Sequence, residues 1–277
     1  MIKSLRIAVV ADNQALSPDF KPEHGLAVWL EADNRYFMFD TGQGTNLLAN
    51  ANALGLPLQK LDAVILSHGH YDHSGGLALL MASCPHAKIY MHPAVLRKRY
   101  SIQTDGSSHS IGIPEEVKTQ LRKEFERIVW TTVPTELFSG FWITGPIPRL
   151  STEEGIEDRF VLDSKSKTPD CIPDDQALFI KTTQGIAVIL GCTHAGVSNT
   201  LEYVSGLCGK DPRRLILGGF HLSNANTENI NRAVAAIKAF GAEKIAPCHC
   251  SGESFTAEIA SQFPGFVKCG AGTCLRI

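Results

Sequence analysis

Ser67-His68-Gly69-His70-Tyr71-Asp72-His73 follows directly on the apolar run Val64-Ile65-Leu66. Three imidazoles and one carboxylate thus fall within the six residues from His68 to His73. Neutral imidazole and carboxylate are ligands for zinc, iron or manganese and need no thiolate beside them. An irregular turn behind a strand can point His68 and His70 to one metal and swing Asp72 and His73 toward a second. A lone histidine is ordinarily a surface or satisfied core residue. Four ligand-type side chains at this spacing behind an apolar strand are not accounted for that way. Gly69, Gly75 and Gly76 allow the backbone to bend closely around such a centre.

The flanking sequence alternates short apolar runs with turns and helix-compatible stretches. Leu5 to Val10, Leu26 to Leu30, Tyr36 to Phe39 and Lys88 to Met91 read as strands, as do Ala177 to Thr182 and Ile186 to Leu190. Asn46 to Leu54, Leu77 to Ala82, Val197 to Leu207 and Phe255 to Phe263 read as helices, and Phe266 to Ile277 as one or two closing strands. Thr227 to Phe240 carries Ile230, Val234, Ile237 and Phe240 at helical spacing. Four strands end in a short turn bearing histidine: at His68, His194, His221 and His249. In α/β architectures ligands gather at the carboxyl ends of strands. The stretch from about 97 to 140 breaks the pattern. Ser101 to Ser110 reads as a mobile polar loop and Pro114 to Ile128 as a charged helix, together an insertion or cap over a site.

The chain has 277 residues, of which 44% are hydrophobic, enough for a full core. Its net charge of -2 gives no basic surplus to hold a nucleic-acid backbone. Eight cysteines without regular spacing read as free thiols in a reducing cytoplasm. The apolar run at Leu5 to Val10 is too short for a secretion signal, and no stretch approaches the ~18 apolar residues of a membrane span.

The stretch from Ser67 to Gly76 resembles the H-x-H-x-D-H signature of the metallo-β-lactamase superfamily, and Phe39-Asp40-Thr41-Gly42 is similar to its strand-end D-T-G. Glu23-His24-Gly25-Leu26, Thr144 to Arg149, Asp174 to Leu178, Gly191 to Gly196, Gly218 to Leu222 and Pro247 to Cys250 resemble one branch, the dihydropterin–ribofuranosylaminobenzene-phosphate synthase-like proteins. The resemblance implies an α/β fold, a four-layer αββα sandwich with metals at one edge between two sheets. It spans residues 1–277 as a single domain, with the insertion at about 97–140. It also implies two divalent metal ions, zinc first, with iron or manganese as alternatives. His68, His70, Asp72 and His73 supply four ligands, and the resemblance adds His194 to the first metal and His249 to the second.

Many members of the superfamily carry a bridging aspartate in a G-D-T motif, where this chain has Gly191-Cys192-Thr193. Either Cys192 takes that place as a thiolate, or His194 replaces a missing histidine and no residue bridges. The second is preferred, because buried cysteine usually behaves as a small apolar residue. Cys250 is expected to start the last helix, where a thiolate would be stabilised. His221 is expected to act as a general acid or to bind phosphate, as a histidine at a related position does in other branches. Asp72 is read as both ligand and catalytic residue. Asp12, Asn13 and His24 are expected to touch the ligands or the substrate's edge, and Asp175 to orient a ligand histidine.

The implied activity is hydrolysis of a small phosphorylated or ester metabolite, or a transfer that handles a pterin and a phosphate. A metal-held binding or sensing protein without catalysis is the alternative. The expected partner is a small molecule, with neither nucleic acid nor membrane. Flavodiiron redox proteins carry glutamate where this chain has His70, which argues against that chemistry.

Overall fold

The computed structural model describes every residue except 152, 153, 155, 156, 166 and 167. Two sheets face each other. The first is built from β1 (Leu5–Ala11), β2 (Ala27–Ala32), β3 (Arg35–Phe39), β4 (Ala63–Ile65) and β5 (Lys88–Met91), edged by β8 (Ile128–Trp130) and β16 (Cys274–Arg276). The second runs from β15 (Lys244–Cys248) through β14 (Arg213–Gly219), β13 (Gly185–Leu190) and β12 (Leu178–Thr182) to β10 (Phe141–Ile143) and β9 (Thr135–Phe138). Each sheet joins an antiparallel part to a parallel one: β3, β4 and β5 in the first, β13, β14 and β15 in the second.

The near-continuous apolar strands are explained by burial of both faces. In β13 all six residues are buried. Ala187 and Ile189 enter the core between the sheets, while Val188 and Leu190 lie under the outer helices. Val9, Val28, Phe37 and Ile65 from the first sheet meet Phe141, Leu178, Ile189 and Leu217 from the second, with the Phe37 and Phe141 rings 4.4 Å apart. On the far side of the first sheet lie α1 (Leu47–Ala53), α3 (Leu77–Ser83) and α4 (Glu115–Lys123), through Leu47, Leu77, Leu80, Val117 and Leu121. On the far side of the second lie α5 (Val197–Cys208), α6 (Thr227–Phe240) and α7 (Glu253–Gln262). The result is the expected four-layer αββα sandwich. Helix α6 matches its expected limits because its signals are local. Asn226 accepts the Asn229 amide at 2.9 Å as N-cap, and Gly241 at φ 74° takes the left-handed C-terminal position.

Within 97–140 the structure separates two behaviours. Residues 101–110 are not a loop. They form the hairpin of β6 (Tyr100–Ile102) and β7 (Ser108–Ser110), to which β11 (Phe160–Val161) adds a third strand. Residues 128–138 instead supply β8 and β9 to the two main sheets. The turn Ser139-Gly140 between Phe138 and Phe141 was a legible hairpin signal, a two-residue polar turn between aromatic runs. Among the described residues no helix is long and apolar enough to cross a membrane.

Candidate metal centre

The local backbone explains why the ligand-type residues of the cluster divide into two groups. The chain bends at Ser67, His68 and Gly69 and becomes extended at His70, which leaves the His68 and His70 rings 4.5 Å apart. At Tyr71 the chain enters the single helical turn α2 (Tyr71–Ser74), held by Ser74 Oγ donating to the His70 carbonyl at 2.7 Å. That reversal carries Asp72 and His73 to a second position. Gly69 has no alternative: a Cβ there would meet the Val95 carbonyl oxygen at 2.5 Å and the Val95 Cα at 2.8 Å, both backbone atoms.

The second sheet completes both groups. His194 follows β13, and its Nε2 lies 3.2 Å from His68 Nε2, which in turn lies 3.0 Å from His70 Nδ1. His249 follows β15, with its Nε2 3.1 Å from His73 Nε2 and 3.4 Å from Asp72 Oδ2. Four strand ends deliver non-glycine residues in the left-handed region: Asp40, Thr193, His221 and His249, at φ of 58°, 59°, 52° and 53°. Such conformations cost about 1–3 kcal/mol each and collect at functional sites.

The hydrogen-bond network assigns the tautomers. Asp40 accepts the Ser67 amide at 2.7 Å and the Ser67 hydroxyl at 2.6 Å, and its Oδ2 faces His73 Nδ1 at 2.7 Å. A carboxylate only accepts, so His73 carries its proton on Nδ1. Ser67 has given its one proton to Asp40, so its oxygen accepts from His68 Nδ1 at 2.9 Å. The Asn13 oxygen accepts the Gly25 amide at 3.1 Å and likewise faces His249 Nδ1 at 2.9 Å. The Nε2 atoms of His68, His73 and His249 are therefore lone pairs in the neutral rings. In the neutral rings the Nε2 lone pairs of His73 and His249 would face each other at 3.1 Å, a contact that a proton or a metal cation between them relieves. Burial holds His68, His70 and His194 well below the ordinary histidine value, so they stay neutral. Burial opposes charge on His73 too, but Asp40 and Asp72 outweigh it and push His73 up to about 9, so a proton fills the Nε2 contact with His249 until a metal cation displaces it. A buried, convergent donor set of this kind fits divalent metal.

A family model described as the metallo-beta-lactamase superfamily matches residues 21–203. The chain belongs to the metallo-beta-lactamase superfamily. An uncharacterized protein of Methanocaldococcus jannaschii is 30% identical over 274 residues, covering 98% of this chain and all of the relative. The 7,8-dihydropterin-6-methyl-4-(beta-D-ribofuranosyl)-aminobenzene-5'-phosphate synthase of the same organism is 27% identical, over 93% of this chain and 90% of the synthase. Among solved structures, Tm1679, a metal-dependent hydrolase of the beta-lactamase superfamily, superposes with a TM-score of 0.81 at 28% identity, covering 99% of each chain. The fold is thus that of metal-dependent hydrolases, in a superfamily that typically binds divalent metals.

In this metallo-beta-lactamase fold the outer residues take specific parts. Asp12 accepts the His249 amide at 2.7 Å and Asn13 holds the His249 ring, so the end of β1 fixes the turn after β15. His24 lies 3.2 Å from Asp72 Oδ2. Cys192 places Sγ 3.1 Å from His73 Nε2, among imidazoles rather than in the apolar packing expected of it. Cys250 does not start α7. It lies in the turn before the N-cap Gly252, with its sulfur 3.4 Å from that of Cys192. Burial would raise the Cys250 thiol, but the Cys192 hydrogen bond and the nearby His249 and His221 outweigh it and lower it.

His221 follows β14 and pairs through Nε2 with Glu157, a partner that sequence reading missed because it comes from 64 residues away. Burial opposes its charge, but Cys250 and Glu157 push His221 up to about 10. Arg159 and Phe160 of the same segment, with Gln103 and His109 of the β6–β7 hairpin, line a cleft of about 560 Å³ whose wall includes His70, Asp72, His194, His221 and His249.

Asp175 acts on backbone, accepting the Ala195 amide at 2.7 Å, so it shapes the His194 turn rather than gripping an imidazole. Burial pushes it up to about 7 from 3.8. The folded state then binds more protons than the unfolded state between those values, so stability falls as pH rises through that window, by about 4 kcal/mol at about 1.4 per pH unit. Asp175→Asn keeps the accepting oxygen and loses the charge. In metal-free protein its urea midpoint is expected to gain on the wild type from pH 5 to pH 8. Parallel pH curves for the two proteins would contradict this account.

Proposed function

We propose that the protein is a dinuclear metal-dependent hydrolase acting on a small phosphorylated or ester metabolite. The observation that carries this reading is the pair of facing donor sets, His68, His70 and His194 beside Asp72, His73 and His249, which reach one cleft through His70, Asp72, His194 and His249. The first set would hold one ion and the second set the other, with zinc as the first expectation. When bound, the ions supply Lewis acidity that lowers the pKa of water and polarises a substrate oxygen.

The chain's own residues do the rest. Asp40 and Ser67 keep His68 and His73 in the tautomers that offer Nε2, and Asn13 does so for His249. Glu157 keeps His221 protonated beside the first set, its ring 4.3 Å from that of His194. A cationic imidazole there binds a phosphoryl oxygen or gives a proton to a departing oxygen. Arg159, over the Phe160 ring at 4.7 Å, adds a second positive group to the cleft wall. The likeness to the phosphate-named synthase supports a phosphorylated substrate, and a transfer rather than a hydrolysis would use the same residues.

The test is elemental analysis of the purified protein with turnover on a panel of phosphomonoesters, phosphodiesters and carboxylic esters. Two equivalents of metal with turnover on one class are expected. Full metal content with no turnover, and tight binding of a metabolite, would favour the binding or sensing alternative. His221→Gln is expected to keep both metals yet lose about 10²- to 10⁴-fold in kcat on substrates with poor leaving groups. Loss of metal in that variant would make His221 a ligand instead.

A further inference from the structure

We infer that Cys192 is a thiolate ligand shared by the two metals, in the place where many superfamily members carry an aspartate. This rests on the two-metal reading above. Among the described residues the Cys192 sulfur is the one potential ligand atom that groups with histidines of both sets. It lies within 4.8 Å of ring nitrogens of His68 and His194, and equally of His73 and His249. No carboxylate takes that place among the described residues. Asp72 reaches His73, His249 and His24, and Asp40 is occupied by Ser67 and His73.

The chain itself excludes packing as the reason for a thiol here. Cys84 and Cys208 are buried in the two helix-facing cores, and Cys248 and Cys269 in the core between the sheets. Cys192 is only 3% exposed yet belongs to none of these apolar clusters. Its neighbours are the His73 nitrogen and the Cys250 sulfur. The backbone is also built to bring it in. At Gly191 a Cβ would stand 2.4 Å from the Ser67 side chain, so only glycine lets the end of β13 press against the histidine cluster. With metal bound, the Cys192 thiol would give its proton to solvent and its sulfur would be available to both ions. Cys250, 3.4 Å away, groups with Cys192 and His221 and not with the histidines of either set.

Cobalt(II) titration of metal-free protein tests this without reference to activity, because a thiolate bound to cobalt(II) gives a charge-transfer band in the near ultraviolet. In the wild type the band is expected from the first equivalent and to grow about twofold by the second. Cys192→Ser is expected to lose the band, while Cys250→Ser keeps it. The wild-type titration stands even if Cys192→Ser does not fold. A band that stops growing at one equivalent makes the sulfur terminal and overturns the shared ligand. So does two-equivalent binding with no band, or a band lost in Cys250→Ser but retained in Cys192→Ser. Each of those outcomes leaves the dinuclear hydrolase reading standing. Failure of the wild type to bind cobalt(II) at all sinks both.

Discussion

His68→Ala and Asp72→Ala are each expected to leave the protein with one metal instead of two and to cut turnover at least about a thousandfold. Lewis-acid stabilisation by a metal is worth several kcal/mol, and about 1.4 kcal/mol is a tenfold change in rate. The two variants differ in which set they break. His68 Nε2 is the nitrogen that both His70 and His194 face, so its loss opens the first set. Asp72 is the anionic member of the second set. Burial alone would raise its carboxyl, but His73 and His249 hold it well below the ordinary carboxylate range. Asp72→Asn keeps the shape and removes the charge, so it should retain the second metal more weakly than wild type and better than the alanine variant. Elemental analysis after gel filtration, with turnover measured on the same samples, checks all three. Full turnover in a variant stripped of metal would end the two-metal account.

Arg99→Ala is expected to destabilise the fold by about 3–5 kcal/mol, the usual cost of stripping one partner from a buried ion pair. Arg99 is fully buried and meets the Asp174 carboxylate with both terminal nitrogens. Its Nε lies 2.9 Å from Asp170, close enough for an ion pair though not aligned as a hydrogen bond. Without the guanidinium two buried carboxylates are left without a counter-charge. For a chain of this size the change corresponds to about 10 °C in Tm. The site should suffer as well, because Asp174 Oδ2 also accepts the Gly69 amide at 2.8 Å, between the first two histidines. Adding Asp170→Asn to Arg99→Ala removes one stranded charge and should recover part of the loss, a coupling that two separate singles would not show. A drop below about 1 kcal/mol in urea unfolding would mean that the carboxylates find water or protons at little cost.

The layered fold was legible because its signals are local. Apolar runs such as Ile186 to Leu190 are long enough to be buried on both faces, and α6 carries its own caps and period. Strands β8, β9 and β10 hold only three or four residues each, too few for a period: β8 pairs with β5 far upstream, and the β9–β10 hairpin had only its Ser139-Gly140 turn as a local signal. The β6–β7 hairpin looked like a loop because its residues are polar: it borders the cleft and covers no core.

By itself the sequence determined the ligand chemistry from His68 to His73, since those residues are neighbours brought together by a bend followed by one helical turn. Strand-end histidines at 194 and 249 could be named as candidates, but only the tertiary structure brought them to that cluster. The same holds for the support around it. Asp40 lies 33 residues from His73, Cys192 119 from His73, Glu157 64 from His221, and Asp174 105 from Gly69. No periodicity or turn preference encodes such separations. They are set by tertiary packing: pairing of β3 with β4 brings Asp40 to His73, and the facing of the two sheets moved Cys192 from expected packing to a place between the two donor sets.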